Sequence, residues 1–358
     1  MTKREQQILE WIKADPMISK EALAKRAGIA RSSVAVHISN LMKQGLIAGK
    51  GYVLTQEDYA AVVGAVNVDI CGQPFAPLIA GDSNPGFVHV SLGGVGHNIA
   101  RNLARLGSRV RFLTAIGDDV YAQQVEESCC QLGVDLSLAL KLRQHPSSTY
   151  LYICDDLGEM KLAIADMAAT QQLTPEYMRN NLDILNQAKA VAIDANLSEE
   201  ALAYAADNIT APLFVDAVSV TKARKLKPVL NRIYTLKPNR MEAECLSGIA
   251  ITDDDSLRRA AAVLLEAGVQ HVLITLGADG ALAGDKDGFR YVPAIPAGVR
   301  NASGAGDAMM AALIHAYMKD MPLNESSTFA AAAASIATES EETINEALSE
   351  EAVHLRGE

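Results

Sequence analysis

The sequence predicts an α/β protein in which a large domain with a parallel sheet follows a small helical domain. From Tyr59 onward, short β-branched runs that end in Gly, Asp or Asn alternate with helical patterns, which implies right-handed crossovers and a sheet covered on both faces. The first 54 residues carry nine basic and four acidic side chains, whereas the remainder carries 23 basic and 39 acidic ones. We therefore predict two domains with different partners, residues 1–57 and residues 58–358.

The composition excludes several other classes of protein. A chain of 358 residues with 49% hydrophobic and 21% charged residues is neither disordered nor a small disulfide scaffold. No apolar run approaches the roughly 18 residues that a membrane helix needs. The charged first 20 residues do not resemble a signal peptide, and the five cysteines show no spacing typical of disulfide pairs. We expect a cytoplasmic protein with no membrane partner.

Three helical patterns fill the small domain. The first ends near Asp15, the second begins after Ser19 and stops at Gly28, and the third spans residues 31–43. Residues 46–54 alternate around a glycine pair, as a two-stranded ribbon does. This arrangement resembles a winged helix-turn-helix, a fold that places its third helix in the major groove of DNA.

The resemblance implies a DNA-binding surface on the third helix and the wing, made of Arg31, Ser32, Ser33, Lys43 and Lys50. The excess of basic residues suits a phosphate backbone. An alternative is a small interaction or dimerisation module whose basic face is merely solvated.

In the large domain, six runs are typical of buried strands and six of helices. The strands are predicted over residues 61–68, 110–116, 190–195, 213–216, 233–237 and 272–276, and the helices over 98–106, 121–132, 199–208, 254–267, 304–317 and 325–337. Ligands of such folds bind at the carboxyl ends of the strands. Two segments, near 71–92 and 147–166, break the alternation and are predicted to form a lid. The acidic run after residue 338 is predicted to be a solvated helix face.

The most informative segment surrounds Gly304, Ala305, Gly306 and Asp307. Small residues at the start of a helix allow backbone N–H groups to converge on a phosphate, and a carboxylate in the first turn can accept a proton from a hydroxyl. The spacing is equally compatible with a glycine turn in which the aspartate caps the helix. Neither a complete Gly-x-Gly-x-x-Gly nor a Walker A loop occurs, which disfavours a dinucleotide fold and a P-loop.

Residues 301–307 resemble the carboxyl-terminal signature of the ribokinase-like (PfkB) carbohydrate kinases, and residues 93–100 resemble their amino-terminal signature. The resemblance covers residues 59–358. It implies a ribokinase-like three-layer sandwich with a small β lid. Segments 82–86, 158–160, 214–219 and 235–244, together with Asn301 in place of the more usual aspartate, are similar to the pseudouridine kinase subgroup.

The resemblance implies an ATP-dependent kinase that phosphorylates the 5′-hydroxyl of pseudouridine to give pseudouridine 5′-phosphate, together with DNA binding by the first domain. Two alternatives remain at this point. One is a kinase of another nucleoside or sugar, and the other is a transcription regulator that uses a kinase-like domain to sense its ligand. A homodimer is expected.

The resemblance also assigns roles to individual residues. Asp307 is the implied general base, and the N–H groups of Gly304, Ala305 and Gly306 form the implied anion hole. The implied substrate-binding residues are Asn67, Asp69, Gly93, Gly94, Asn98, Thr149, Asp166 and Asn196. The implied nucleotide-binding residues are Lys237, Asn239, Thr275, Gly277, Gly280, Asn301, Gly304 and Gly306.

ATP and Mg²⁺ are the implied cofactors, with Asn239 and Glu242 acting on the metal through water. A monovalent cation such as K⁺ is less favoured, because Asn301 replaces the aspartate that helps to build that site in many relatives. The residues alone also allow plainer roles: Asp69 as a strand-end cap, Glu242 as a helix-surface charge and Lys237 as a solvated strand-end lysine.

Overall fold

The computed structural model describes residues 1–47 and 58–357, and the chain divides into two compact units, Met1–Asp58 and Tyr59–Glu358. In the part of the chain that is described, no helix is both long and apolar enough to cross a membrane.

The first unit contains three helices, α1 (Lys3–Ala14), α2 (Lys20–Ala27) and α3 (Arg31–Lys43). Ser19 caps α2 by accepting a hydrogen bond from the N–H of Ala22, and Gly28 ends it with a φ of 65°. The apolar side chains that point inward from all three helices form one small core of their own. These three helices confirm the sequence prediction. Most of the predicted ribbon, including Lys50, lies outside the described residues.

The second unit contains fourteen strands and eleven further α-helices within its described residues. The strands are β1 (Ala60–Val63), β2 (Asn67–Pro74), β3 (Gly86–Gly93), β4 (Val110–Leu113), β5 (Ala115–Ile116), β6 (Leu140–Lys141), β7 (Thr149–Cys154), β8 (Met160–Asp166), β9 (Ala190–Asp194), β10 (Leu213–Asp216), β11 (Thr235–Lys237), β12 (His271–Thr275), β13 (Ala281–Asp285) and β14 (Gly288–Val292). The helices are α4 (Val95–Arg105), α5 (Val120–Gln131), α6 (Pro175–Asn180), α7 (Leu182–Gln187), α8 (Glu199–Asn208), α9 (Val220–Ala223), α10 (Arg240–Ser247), α11 (Asp254–Glu266), α12 (Ala305–Met318), α13 (Leu323–Thr338) and α14 (Glu350–Gly357). Three 3₁₀ segments join them: Thr170–Gln172, Arg224–Arg232 and Gly277–Asp279.

The main sheet has eight strands in the order β14-β13-β12-β11-β10-β9-β1-β4. The six strands from β12 to β4 in this order are parallel to one another. The β13–β14 hairpin adds an antiparallel edge next to β12. Side chains alternate between two cores: Ala61 and Val63 join one, and Ala60 and Val62 join the other. Helices α6 to α11 cover the first face, and α4, α5, α12, α13 and α14 cover the second. The predicted three-layer α/β fold is confirmed.

A second sheet of four strands, β3-β2-β7-β8, forms the lid. The sequence pattern treats residues 61–68 as one strand, but the chain leaves the main sheet after Val63 and enters the lid at Asn67. Gly64 follows the last residue of β1, and its lack of a side chain leaves room for Asp194, since a Cβ there would lie 2.3 Å from Oδ2 of Asp194. This break brings Asn67 and Asp69 to the carboxyl edge of the main sheet.

The prediction of a helix face for the acidic run is wrong for the glutamates between residues 339 and 346, and it holds only for Glu350 and Glu351, which begin α14. Helix α13 ends at Thr338, and the following residues form an irregular segment before α14 begins at Glu350. Glu339 makes a two-pronged ion pair with Arg356, with both N–O distances at 2.8 Å. The segment returns to the end of α13, where Nδ2 of Asn345 donates to the carbonyl of Ile336, and it contacts the loop before α12, where Nδ2 of Asn301 donates to the carbonyl of Glu341.

Candidate active site

The loop that leads into α12 has a conformation that requires glycine. Gly304 has a φ of 81°, and a Cβ there would lie 2.1 Å from the carbonyl oxygen of Thr343. The side chain of Asn301 holds the same loop: its Nδ2 donates to the carbonyl of Glu341 (2.9 Å), and its Oδ1 accepts from the N–H of Ser303 (2.8 Å). No side chain among the described residues caps α12. The N–H of Ala305 makes only a long 3.5 Å hydrogen bond to the carbonyl of Ala302, and the N–H groups that follow it in the first turn are available to an anion.

Asp307 lies in that first turn and is partly buried. Its Oδ2 accepts a 2.8 Å hydrogen bond from Nδ2 of Asn98 on α4. Burial and the negative charge of Asp216 raise the pKa of Asp307 to about 7, against the opposing effects of Asn98 and Lys237. A carboxylate with that pKa can accept a proton from a substrate hydroxyl near neutral pH.

A buried ion pair lies beside this turn. Asp216 and Lys237 end the neighbouring strands β10 and β11, and their side chains are 2.9 Å apart and each 7% exposed. Burial alone would lower the pKa of Lys237, but attraction to Asp216, Asp307 and Glu242 raises it, so the ammonium stays charged. A Cβ at Gly306 would lie 3.2 Å from Nζ of Lys237. The lysine is thus held against the start of α12, and the solvated alternative for it is wrong.

Asp69 sits at the other side of the cleft, on the lid strand β2. Its Oδ1 accepts a 2.6 Å hydrogen bond from Nδ2 of Asn67, and burial raises its pKa to about 6. A Cβ at Gly93 would lie 2.1 Å from Oδ2 of Asp69, and Gly94 has a φ of 100° and packs against the carbonyl of Ala65. The glycine pair therefore lets the backbone approach the carboxylate, whose remaining lone pairs can accept substrate hydroxyls.

Asp194, at the end of β9, holds three segments of the site together. Its Oδ2 accepts from the N–H groups of Ala65 (2.8 Å) and Gly96 (3.0 Å), and its Oδ1 accepts from the N–H of Asn196 (2.9 Å). Burial raises the pKa of this carboxyl. The sequence patterns assigned a role to neither Asp194 nor Asp216. Their positions at carboxyl ends of parallel strands were the available signal.

Asn196 follows Asp194 but is engaged with its neighbours. Its Oδ1 accepts a short hydrogen bond from Nζ of Lys222, and its carbonyl accepts from Gln171 (3.1 Å). Burial lowers the pKa of Lys222. The side chain of Asn196 is thus tied to α9 at the edge of the site.

A cavity of about 540 Å³ opens beside the first turn of α12. Its walls come from the end of β12, the segment after β14, and helices α12 and α13, and they are mostly apolar. Four of the predicted nucleotide-binding residues line it: Thr275, Gly277, Gly280 and Gly306. An apolar cleft that ends at free backbone N–H groups suits a base joined to phosphates.

Asn239 and Glu242 form a reciprocal cap at the start of α10. The N–H of Asn239 donates to Oε2 of Glu242 (2.8 Å), and the N–H of Glu242 donates to Oδ1 of Asn239 (2.9 Å). Glu242 is 4% exposed and burial raises its pKa, so the alternative of a surface charge is wrong. Within the described ranges, no three His, Cys, Asp or Glu side chains converge as a metal-binding group.

The structure does not bring Thr149 and Asp166 to this cleft. They are register partners on β7 and β8, and Thr149 also pairs with Val68. Side chains of paired residues share a face of a sheet, and Asp69 follows Val68, so Thr149 and Asp166 lie on the opposite face of the lid.

The predicted DNA face is partly available on α3. Ser32, Ser33 and Lys43 are exposed, whereas Nε of Arg31 pairs with Oε1 of Glu21 at 2.9 Å. Among the described residues of the predicted face, small hydroxyl side chains are therefore combined with Lys43, an exposed basic residue at the end of the helix.

Comparison with known proteins finds a matching family model for each of the two units. The model of the pfkB family carbohydrate kinases matches residues 58–350, and a winged helix-turn-helix DNA-binding model matches residues 1–48. An uncharacterized sugar kinase of Escherichia coli (strain K12) is 39% identical over 353 residues, which cover 98% of this chain and 97% of the relative. Pseudouridine kinase of the same organism is 40% identical over 298 residues, 83% of this chain and 95% of the relative.

The structure of Arabidopsis thaliana ribokinase complexed with ribose and ATP superposes with a TM-score of 0.77 at 22% identity, covering 85% of this chain and 99% of that one. That likeness concerns the fold, which is ribokinase-like. Because the family model spans most of the chain and the sequence relatives are nearly collinear with it, this protein belongs to the pfkB family of carbohydrate kinases, a family of phosphotransferases.

Proposed function

We propose that this protein is an ATP-dependent kinase that phosphorylates the 5′-hydroxyl of pseudouridine to give pseudouridine 5′-phosphate. The observation that carries the proposal is the position of Asp307, a carboxylate with a pKa near 7 in the first turn of a helix whose leading N–H groups are uncapped. The likeness to Escherichia coli pseudouridine kinase supports the choice of acceptor.

In the proposed reaction each group has one task. Asp69, with Asn67 and the Gly93 backbone beside it, accepts hydrogen bonds from ribose hydroxyls. Asp307 accepts the proton of the 5′-hydroxyl as that oxygen attacks the γ-phosphorus of ATP and the bond from that phosphorus to the leaving ADP breaks. The N–H groups at the start of α12 and the ammonium of Lys237 stabilise the charge on the transferred phosphoryl group.

The residues also fit Mg²⁺ bound through water. Glu242 is a buried carboxylate with one oxygen in the α10 cap, which leaves Oε1 to orient a hydrated ion, and Asn239 starts the same turn. Mg²⁺ keeps several waters and is usually held by one or two carboxylates and the substrate phosphates. When bound, it would neutralise charge on the phosphates.

The proposed kinase does not require K⁺ for turnover. Asn301 closes its loop with two neutral hydrogen bonds, to Glu341 and from Ser303, so that loop keeps its shape without a cation. Equal turnover in Na⁺, K⁺ and choline buffers would agree with this, and strong activation by K⁺ would contradict it.

The deciding experiment measures ATP consumption with pseudouridine, uridine, other nucleosides, ribose and fructose. We expect the highest kcat/KM with pseudouridine and a loss of turnover by a factor of about 10²–10⁴ in Asp307→Asn. Preference for a free sugar would reject the acceptor. Binding without turnover in the wild type would instead favour a ligand sensor.

DNA binding is the second proposed function, and the match of residues 1–48 to a winged helix-turn-helix model favours it. Selection from genomic fragments, followed by affinity measurements at two salt concentrations, tests it. Ser33→Glu on the exposed face of α3 should weaken binding more than tenfold, because a carboxylate repels phosphate. The matched control is Gln7→Glu, at an exposed position of α1. Equal losses of DNA affinity in the two variants would argue against α3 as the helix that contacts the bases.

We also propose that two copies pair through the lid. The face opposite Asp69 exposes Val88, Val90, Leu151, Leu162 and Ile164. Such a contiguous apolar face is typical of an interface. Light scattering should give a dimer for the wild type and a monomer for Leu162→Lys, and a monomeric wild type would contradict the pairing.

A further inference from the structure

The face of the lid that carries Asp69 also carries two tyrosines. In the register of β2 and β7, Asp69 pairs with Tyr150, and Cys71 pairs with Tyr152. Paired residues project from the same face of a sheet, and residues two apart on one strand do as well. Asp69, Tyr150 and Tyr152 therefore share one face, which is opposite to the exposed apolar face.

The two rings form a continuous aromatic surface. Their centroids are 5.5 Å apart with an interplanar angle of 35°, and both side chains are partly exposed. The partners of Tyr150 and Tyr152 on the next strand, β8, are Ala165 and Ala163. The alanines add little bulk beside the rings, and the nearest larger contact from that strand is Met160, whose Sδ accepts a 3.4 Å hydrogen bond from the Tyr150 hydroxyl.

The tyrosines lie close to the carboxylate. Burial, a contact with Cys71 and the negative charge of Asp69 together raise the pKa of Tyr152. Along a strand, two residues advance by about 6.6 Å, which is comparable with the separation between a ribose and the base attached to it. Tyr150 lies directly opposite Asp69, and Tyr152 lies one such step further along β7, so a nucleoside whose ribose is held at Asp69 can lay its base over the two rings.

We propose that Tyr150 and Tyr152 form a base platform, on which the planar heterocycle of a nucleoside substrate stacks while Asp69 holds the ribose. Aromatic side chains bind bases through their faces, with little dependence on the hydrogen-bonding edge. The platform favours nucleosides over free pentoses. It rests on the proposed function, because it assigns the base of the acceptor to the same site.

The test compares KM and kcat of four variants on pseudouridine and on ribose. Tyr150→Leu and Tyr152→Leu remove the aromatic face, whereas Tyr150→Phe and Tyr152→Phe keep it. We expect each leucine variant to raise KM for pseudouridine about tenfold or more, with kcat and ribose turnover little changed, and the phenylalanine variants to behave like the wild type. Tyr121→Leu on α5 is the matched control.

Two results would overturn the platform: a wild-type KM for pseudouridine in both leucine variants, or equal losses in the leucine and phenylalanine variants of properly folded protein. Failure of the proposed function looks different, because the wild type then does not turn over pseudouridine. In that case the same variants are measured on whichever nucleoside the wild type accepts, and acceptance of free sugars alone also overturns the platform.

Discussion

The Nδ2 amide of Asn98 donates a 2.8 Å hydrogen bond to Oδ2 of Asp307, across 209 positions of sequence. The bond joins the start of α4 to the start of α12, so the two glycine-rich loops of the protein meet at one carboxylate. Oδ1 of Asn98 is buried and has no partner among the described residues. The amide therefore orients Asp307 with one atom and keeps an acceptor available with the other.

The pH dependence of kcat/KM should report Asp307. The group must be deprotonated to act as a base, and its pKa is raised to about 7, so activity should rise with pH through about 7 and level off above it. Asn98→Ala removes a hydrogen bond that lowers this pKa, and the rising limb should move to higher pH. The measurement is kcat/KM between pH 5 and 9, and a limb near pH 4 would exclude Asp307 as the base.

The Asp216–Lys237 pair should matter for stability. Both side chains are 7% exposed, so Asp216→Asn leaves a buried ammonium without its partner and should cost about 3–5 kcal/mol of unfolding free energy. The double variant Asp216→Leu, Lys237→Met should recover much of that loss. Denaturant unfolding of the three proteins checks this.

An exposed lysine provides the control for that comparison of unfolding free energies. Lys141 pairs with Glu126 at the surface, and Lys141→Met should change stability little. Equal effects of Lys141→Met and Asp216→Asn would show that burial of the charge is not what makes the pair important.

Much of this site follows from local sequence, and the remainder depends on topology. The Gly304 loop and Asp307 are contiguous, so the helix start and the acid within it are visible in one segment. The pairing of Asp216 with Lys237 needs β10 beside β11, and the three hydrogen bonds to Asp194 come from distant segments. Periodicity also cannot show that residues 61–68 divide between two sheets, because apolar residues continue through Ala65 and Val66 across the break.

Gly304→Ala should reduce turnover at least 100-fold. A Cβ would lie 2.1 Å from the carbonyl of Thr343, so the loop must move and carry the first N–H groups of α12 with it. Gly107→Ala is the control, because Gly107 has a similar φ of 89° with nothing within 4 Å of its Cβ. It should lose about 1 kcal/mol of stability and no activity. Equal turnover in both variants would argue that the Gly304 loop holds no reacting phosphate.

Ala334→Phe should raise KM for ATP without changing KM for the nucleoside. Ala334 lines the 540 Å³ cavity from α13, so a phenyl ring there competes with a nucleotide base for the same volume. We expect KM for ATP to rise tenfold or more, while KM for the nucleoside stays near the wild-type value, because Asp69 lies on the lid. Ala203→Phe, at an exposed position of α8, controls for adding a ring to a helix. A rise in the nucleoside KM with no change for ATP would show that this cavity holds the acceptor, and the assignment of the two sites would then be reversed.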